Sequence, residues 1–164
     1  MVFLNDEELS SAIVGGLNTA VQYVMEEILK RNDKAIQVHV YQKYVPKVYQ
    51  VTGDFVNAWD IKTASGGKTV DGEFYFEPNE IGVNPNADPP QHADVDGNSV
   101  AQYMADLIYE SDMGCIQRPV RRNAWKVVDR WLSANNLSAL FQRGMRRAGL
   151  KFVKGSGAPT KTTE

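Results

Sequence analysis

The N-terminal segment constrains the fold of this chain most strongly, because its apolar residues recur at helical spacing. Asn5 occupies a favourable N-cap position, and Glu8 follows in the capping-box position. Acidic residues fill the first turn, where the helix dipole stabilises them. The pattern predicts a helix from Asn5 to about Arg31, ended by a turn at Asn32-Asp33. Its apolar face consists of Leu9, Ile13, Leu17, Ala20, Val21, Val24 and Ile28.

Two adjacent glycines, Gly15 and Gly16, lie in the middle of this predicted helix. Each glycine costs a helix about 1 kcal/mol relative to alanine. A helix that accepts this cost is expected to be held by its neighbours. The glycine pair therefore predicts a close helix crossing at this point.

The segment Tyr41–Trp59 is rich in aromatic residues and holds no nucleophile beside a base. Pro46 restricts its backbone, and Gly53 offers a positive φ angle directly after Thr52. Aromatic side chains supply large apolar areas, and tyrosines keep a polar end. Two interpretations stay open for these aromatics, namely packing in the core and contact with a partner subunit.

The same segment, placed after a long N-terminal helix, resembles the tail-completion or head–tail joining proteins of tailed bacteriophages. The resemblance covers about the first third of the chain, and only the order of elements continues it. It implies a non-enzymatic ring of six-fold or twelve-fold symmetry in the virion neck, which is assembled in the host cytoplasm. The ring would contact other neck and tail proteins, and packaged DNA is a further candidate partner. The matching positions are Tyr41, Tyr44, Pro46, Tyr49, Thr52, Gly53 and Phe55.

Length and composition predict one domain over residues 1–153, with a long loop at 84–98 and an edge strand at 150–153. The last residues, 154–164, have the composition of a flexible tail. The sequence has no apolar run long enough to span a membrane and no secretory signal pattern. Its single cysteine, Cys115, cannot form an internal disulfide, which favours a reducing compartment.

Charge is distributed unevenly along the chain. Residues 1–116 hold 7 Lys+Arg and 18 Asp+Glu, a net charge of −11, whereas residues 117–164 hold 11 and 2, a net charge of +9. A chain with an acidic body and a basic C-terminal part is able to attract copies of itself head to tail. The basic part is also suited to nucleic-acid phosphates, and a solvated basic helix face without a partner is a third interpretation.

Alternating apolar and polar residues predict a strand at 36–42, and a second strand is predicted at 72–78. The stretch 55–62 fits either a short helix or a strand. A turn is predicted at 65–67. Together these segments predict a small antiparallel hairpin or meander.

Helical periodicity returns in the second half of the chain and predicts helices at 98–110, 120–134 and 138–148. The connector 111–119 separates the first two, and Asn135-Asn136 is expected to break the chain between the others. Gly149 is placed to end the last helix. The predicted fold is α+β, with the long N-terminal helix and the C-terminal helices packed on a small antiparallel sheet.

Candidate catalytic and metal-binding residues are sparse. Asp94, Asp96 and Asn98 begin like a calcium loop, but the required glycine and glutamate do not follow, so a turn and a helix cap explain them better. The two histidines, one of them His92, and the lone cysteine have no zinc-site spacing.

A metal-dependent nuclease built on Asp54, Glu73 and Glu77 has no support from their spacing. The sequence therefore predicts no enzyme, no cofactor and no metal. The alternative to a ring subunit is a nucleic-acid-binding module that uses the basic C-terminal helices, with Trp125 and Trp131 as stacking candidates. The predicted partner-binding residues are Tyr41, Tyr44, Pro46, Tyr49, Gly53, Arg143, Arg146 and Arg147.

Overall fold

A computed structural model describes residues 5–42, 52–67, 69–86, 92–93, 96–109 and 124–150. Its helices and two-stranded antiparallel sheet confirm the α+β class. In chain order, the elements are α1 (Asp6–Ile36), a π-helix (Gln37–Tyr41), α2 (Asp54–Asn57), β1 (Trp59–Gly66), β2 (Thr69–Phe76), a 3-10 turn (Pro78–Glu80), α3 (Ala101–Tyr109), α4 (Ala124–Trp131) and α5 (Ala134–Arg147).

The N-terminal helix α1 begins where the sequence predicts. The Asn5 side chain accepts a hydrogen bond of 2.8 Å from the backbone N–H of Glu8, as an N-cap should. The predicted end near Arg31 is wrong, because α1 continues to Ile36. Asn32, taken as part of a turn, is instead fully buried inside the helix. Tertiary packing here outweighs the weak local preference of asparagine for turns.

The predicted strand at 36–42 is also wrong, since α1 passes directly into the π-helix. A strand would turn Ile36, Val38 and Val40 to one face. In the structure Ile36 and Val40 are buried four residues apart, while Val38 is 38% exposed. The burial period is therefore helical, and the alternation of residue types in this stretch is incidental.

The predicted hairpin is confirmed. Strands β1 and β2 pair antiparallel from Trp59 opposite Phe76 to Gly66 opposite Thr69. Gly67 adopts φ +59° in the turn, a conformation that favours glycine. The stretch 55–62, which fitted either a helix or a strand, contains the end of α2 followed by the start of β1.

Helix α1 is the central element, and the hairpin lies across it. A Cβ atom at Gly72 would lie 2.7 Å from the Met25 sulfur, so the backbone of β2 approaches α1 closely. Nearby, the Thr63 hydroxyl donates a 3.2 Å hydrogen bond to the Gln22 side chain. Glycine at position 72 therefore permits the sheet to rest directly on the helix.

Helix α5 crosses α1 at an equally close contact. A Cβ atom at Gly144 would lie 2.7 Å from the Ala20 Cα atom. Further along, Gly16 lies directly beneath the Leu150 side chain, whereas Gly15 has nothing within 4 Å of a Cβ position. A close helix crossing is thus present, but it lies at Ala20 and not at the predicted glycine pair, since Gly16 packs on residues that follow α5 and Gly15 packs on nothing.

Two helix starts differ from the sequence predictions. Helix α3 begins at Ala101 rather than near Asn98, and the Ser99 hydroxyl accepts a 3.2 Å hydrogen bond from the Ala101 N–H. Helix α5 begins at Ala134, where the Ser133 side chain caps it. Helix α5 thus has a serine N-cap, whereas the Ser99 hydroxyl closes a turn just before α3.

The predicted break at Asn135-Asn136 is therefore wrong. Asn136 lies in the first turn of α5 and its amide donates a 2.7 Å hydrogen bond to the Trp131 carbonyl, which joins α4 to α5. The predicted stop at Gly149 is confirmed by its φ of +74°. The connector 111–119 and the tail 154–164 lie outside the described residues, so the domain limits stay a prediction.

Candidate partner-binding surfaces

The last aromatic residues of the Tyr41–Trp59 segment belong to the core. Phe55 is only 3% exposed, and its ring centroid lies 6.1 Å from that of Trp59 in an edge-on arrangement. Trp59 stacks on Phe74 at 4.9 Å, and Phe74 in turn stacks on Trp125 at 6.2 Å. For Phe55 and Trp59 the core interpretation is therefore correct.

Tyr41 also makes internal contacts. It is half-buried against the core, and its hydroxyl accepts a 3.2 Å hydrogen bond from the backbone N–H of Val56. Tyr44, Pro46 and Tyr49 lie outside the described residues. Partner binding by Tyr41, Tyr44, Pro46 and Tyr49 stays a prediction.

Gly53 precedes α2 and adopts φ +87°, as expected for the step after Thr52. A residue with a Cβ atom loses about 1–2 kcal/mol in this left-handed region, and asparagine tolerates it better than a β-branched residue. We expect Gly53→Val to lower the free energy of unfolding by about 1 kcal/mol more than Gly53→Asn does. Denaturant titration of both variants measures this difference, and equal losses would show that Gly53 is not conformationally required.

All three predicted arginines of α5 are free of described ion pairs. Arg143 and Arg146 are exposed on the outer side of the helix. Arg147 is exposed at its edge, but its guanidinium carbon lies 4.2 Å from the centroid of the Tyr23 ring. Arg147 therefore helps to join α5 to α1 by a cation–π contact, in addition to any role with a partner.

The hairpin carries an acidic outer face that the sequence analysis did not identify. Strand register brings Asp60, Asp71 and Glu73 to the side opposite the aromatic core, together with one cation, Lys62, which lies opposite Glu73; all four are exposed. The Tyr75 hydroxyl donates a 3.3 Å hydrogen bond to the Asp60 carboxylate. Desolvation, followed by the charge of Asp60, raises the pKa of Tyr75. The signal for this face was the alternation of acidic with aromatic residues in 71–76.

The first part of α1 extends beyond the packed body. Residues 5–11 are all exposed, and the first buried residue is Gly16. We call residues 5–15 the N-terminal arm; at 1.5 Å per residue it is about 16 Å long. Leu9 and Ile13 on this arm belong to the predicted apolar face of the helix, and they are 40% and 43% exposed. A helical apolar stripe shows which face is apolar, but it does not show what covers that face.

A basic groove lies at the opposite end of α1, where α1, the π-helix and α4 meet. It has a volume of about 230 Å³. The Arg31 guanidinium is held 5.1 Å from the centroid of the Trp131 ring. Burial raises the pKa of the neighbouring Asp33 carboxyl. The side chains that line the groove are Arg31, Lys34, Ala35, Val38, His39 and Val127.

Sequence reasoning missed this groove because it ended α1 too early. Positions 31, 34, 35 and 38 follow the i, i+3, i+4, i+7 spacing that marks one helix face. Had the helix been continued through Asn32-Asp33, the cluster of Arg31 and Lys34 beside Val38 would have been visible.

The described residues contain no group of three His, Cys, Asp or Glu side chains able to hold a metal ion. The three carboxylates considered for a nuclease are not brought together. Asp54 accepts a 3.2 Å hydrogen bond from the Gly82 N–H, and Glu77 binds the Asn79 side chain at 2.7 Å. Glu73 lies on the outer face of the hairpin. His92 Nδ1 lies 2.7 Å from the Gly82 carbonyl oxygen, which is a loop contact.

No protein-family model, curated protein or solved structure matches this chain. Among the residues that the structure describes, no helix is long and apolar enough to cross a membrane.

Proposed function

We propose that this protein is a non-enzymatic structural subunit that assembles head to tail into a ring in the virion neck of a tailed bacteriophage. The phage assignment rests on the resemblance of the segment around Tyr41, Pro46 and Gly53. In that position the ring joins the capsid to the tail and contacts other neck and tail proteins. The physical argument for assembly is independent of the resemblance and comes from the surface charge.

The observation that carries the proposal is the separation of opposite charges on one folded unit. Arg143 and Arg146 are exposed on α5, whereas exposed acids occupy the outer face of the hairpin and the tip of the N-terminal arm. Only one ion pair, between Lys30 and Glu27, joins charged side chains within the described residues. Within the described residues, the exposed Arg143 and Arg146 side chains take part in no such pair, which leaves them accessible to another molecule. Contacts between different surfaces of identical subunits generate rings or filaments.

Nucleic-acid binding is the second candidate, and exposed Lys126 and Arg130 on α4 add to the basic surface that would support it. Its proposed stacking residues are occupied within the fold. Trp125 stacks on Phe74, and the Arg31 guanidinium lies over Trp131. Binding through phosphates alone remains chemically open, and its signature would be a steep loss of affinity with salt.

Reversing the two outer arginines of α5 tests the ring proposal. We expect Arg143→Glu with Arg146→Glu to weaken each subunit contact about tenfold at physiological salt, because an attraction becomes a repulsion. Arg147 is left unchanged since it packs on Tyr23. The readout is the concentration at which particles form, measured by light scattering.

The matched control is Lys126→Glu with Arg130→Glu, which makes the same change in net charge on α4. A ring held by α5 predicts that the α5 variant loses more assembly than this control does. Equal loss of DNA affinity in both double variants, with unchanged assembly in both, would favour the nucleic-acid alternative and contradict the charge argument for assembly.

A further inference from the structure

The two ends of α1 carry surfaces that are complementary in both shape and charge. At one end, the N-terminal arm exposes Leu9 and Ile13 beside an acidic first turn. At the other, the basic groove combines an apolar floor with cationic side chains. From this pairing we propose that the N-terminal arm of one copy docks into the basic groove of the next copy. The inference rests on the proposed function in taking the partner to be a second copy.

The arm has the apolar surface that such docking needs. Ile13 and Leu9 continue the line of Ala20 and Gly16, which packs against α5 and Leu150. Residues three or four apart share one helix face, so the stripe runs past the end of α5 without interruption. The described residues thus cover the second half of the stripe and leave its first half exposed.

The groove has room for these side chains. Its volume of about 230 Å³ exceeds the roughly 150 Å³ of a cavity that accepts benzene. Ala35, Val38 and Val127 offer apolar contact, and Val38 is already 38% exposed. An aliphatic side chain from another molecule would therefore be able to bury its apolar surface against these residues.

Charge selects the occupant. Lys34 is exposed at the groove, with Arg31 and His39 beside it. The incoming arm brings Asp6 and Glu7, whose carboxylates are exposed and have no described salt bridge. Opposite charges at the rim guide the encounter and fix the orientation, while the apolar contact supplies affinity. Contact between the arms of two copies would instead place acidic residues against acidic residues.

The geometry of this contact generates an open series of subunits. The 31 residues of α1 separate its ends by about 46 Å, so the arm and the groove of one molecule cannot meet. Each copy then uses its arm on one neighbour and its groove on the other. Such a contact closes into a ring when the rotation between copies permits it.

Two variants, each lacking one half of the contact, make a test that does not depend on ring closure. The arm variant carries Leu9→Ser and Ile13→Ser and keeps its groove. The groove variant carries Lys34→Glu and Val38→Glu and keeps its arm. All four positions are exposed, so both chains should keep the native fold. Neither variant alone should associate, but their mixture should form a one-to-one complex and nothing larger.

The measurement is a titration of isotope-labelled arm variant with unlabelled groove variant up to about 1 mM, followed by amide NMR shifts. We expect shifts confined to residues 31–39 and the adjoining part of α4. When unlabelled arm variant replaces the groove variant in this titration, the arm that docks lacks its two apolar side chains. Binding should then be at least about tenfold weaker than in the mixture. A control variant with Ser11→Ala and Asn18→Ala, both on the opposite face of α1, should associate as the native chain does.

Absence of shifts at 31–39 in the mixture would overturn the docking proposal. If native protein forms rings that neither variant blocks, the contact is wrong and the ring proposal stands. If the one-to-one complex forms but native protein yields only open filaments, the contact stands and the proposed ring fails.

Discussion

Replacing Phe55 with alanine should lower the free energy of unfolding by about 3–5 kcal/mol, the usual cost of removing a buried aromatic side chain. The Phe55 ring lies 5.7 Å from the Phe76 ring and 6.1 Å from the Trp59 ring, so its loss leaves a cavity beneath the hairpin. Chemical denaturation followed by tryptophan fluorescence measures the change.

Tyr103→Ala provides the matched control, because this aromatic side chain is 55% exposed on α3. Its removal should change stability by less than about 0.5 kcal/mol, as surface substitutions usually do. Equal effects at the two positions would mean that Phe55 does not belong to the core. Contact with a partner subunit would then again be the better interpretation of Phe55.

The second large effect is expected at the crossing of α1 and α5. A Cβ atom at Gly144 would lie 2.8 Å from the Ala20 carbonyl oxygen, and backbone cannot move aside as a side chain can. We expect Gly144→Ala to destabilise the protein by about 1–3 kcal/mol, the usual cost of overpacking. The loss appears even though alanine is the better helix former.

The same substitution at Gly15 is the control. Gly15 is exposed in α1, and nothing lies within 4 Å of the position of its Cβ atom. Gly15→Ala should therefore stabilise the protein by about 0.5–1 kcal/mol through helix propensity alone. Thermal unfolding of the two variants should shift in opposite directions. Stabilisation by both would contradict the close crossing.

Local signals in the sequence predict the parts of the fold that local interactions determine. The Asn5 cap, the hairpin turn at Gly67 and the positive φ angles of Gly53 and Gly149 depend on a few neighbouring residues. Each follows from the side-chain chemistry or the conformational freedom of that position. These features needed no knowledge of the tertiary structure.

Elements that depend on tertiary burial were not predictable in this way. Asn32 belongs to α1 because it is enclosed there, and Ile36 with Val40 is helical because both residues reach the core four positions apart. Their residue types favour a turn and a strand. The sequence-based prediction therefore ended α1 too early, and for the same reason it did not identify the basic groove.

The candidate surfaces show the same difference between local features, which the sequence predicts, and tertiary features, which it does not. Exposed Arg143 and Arg146 were predictable from helical spacing and charge. The contact of Arg147 with Tyr23 was not, because the two residues are distant in sequence. Alternation in 71–76 indicates part of the acidic face of the hairpin, but only the register adds Asp60, which it places beside Tyr75.

The central claim, a closed head-to-tail assembly, is tested most directly by native mass spectrometry. The protein is measured alone and after joint production with the products of the genes that flank its own. The account predicts one discrete particle, a whole-number multiple of the 18.3 kDa chain, in at least the joint preparation. A mass of 18.3 kDa for this chain in both preparations would contradict it.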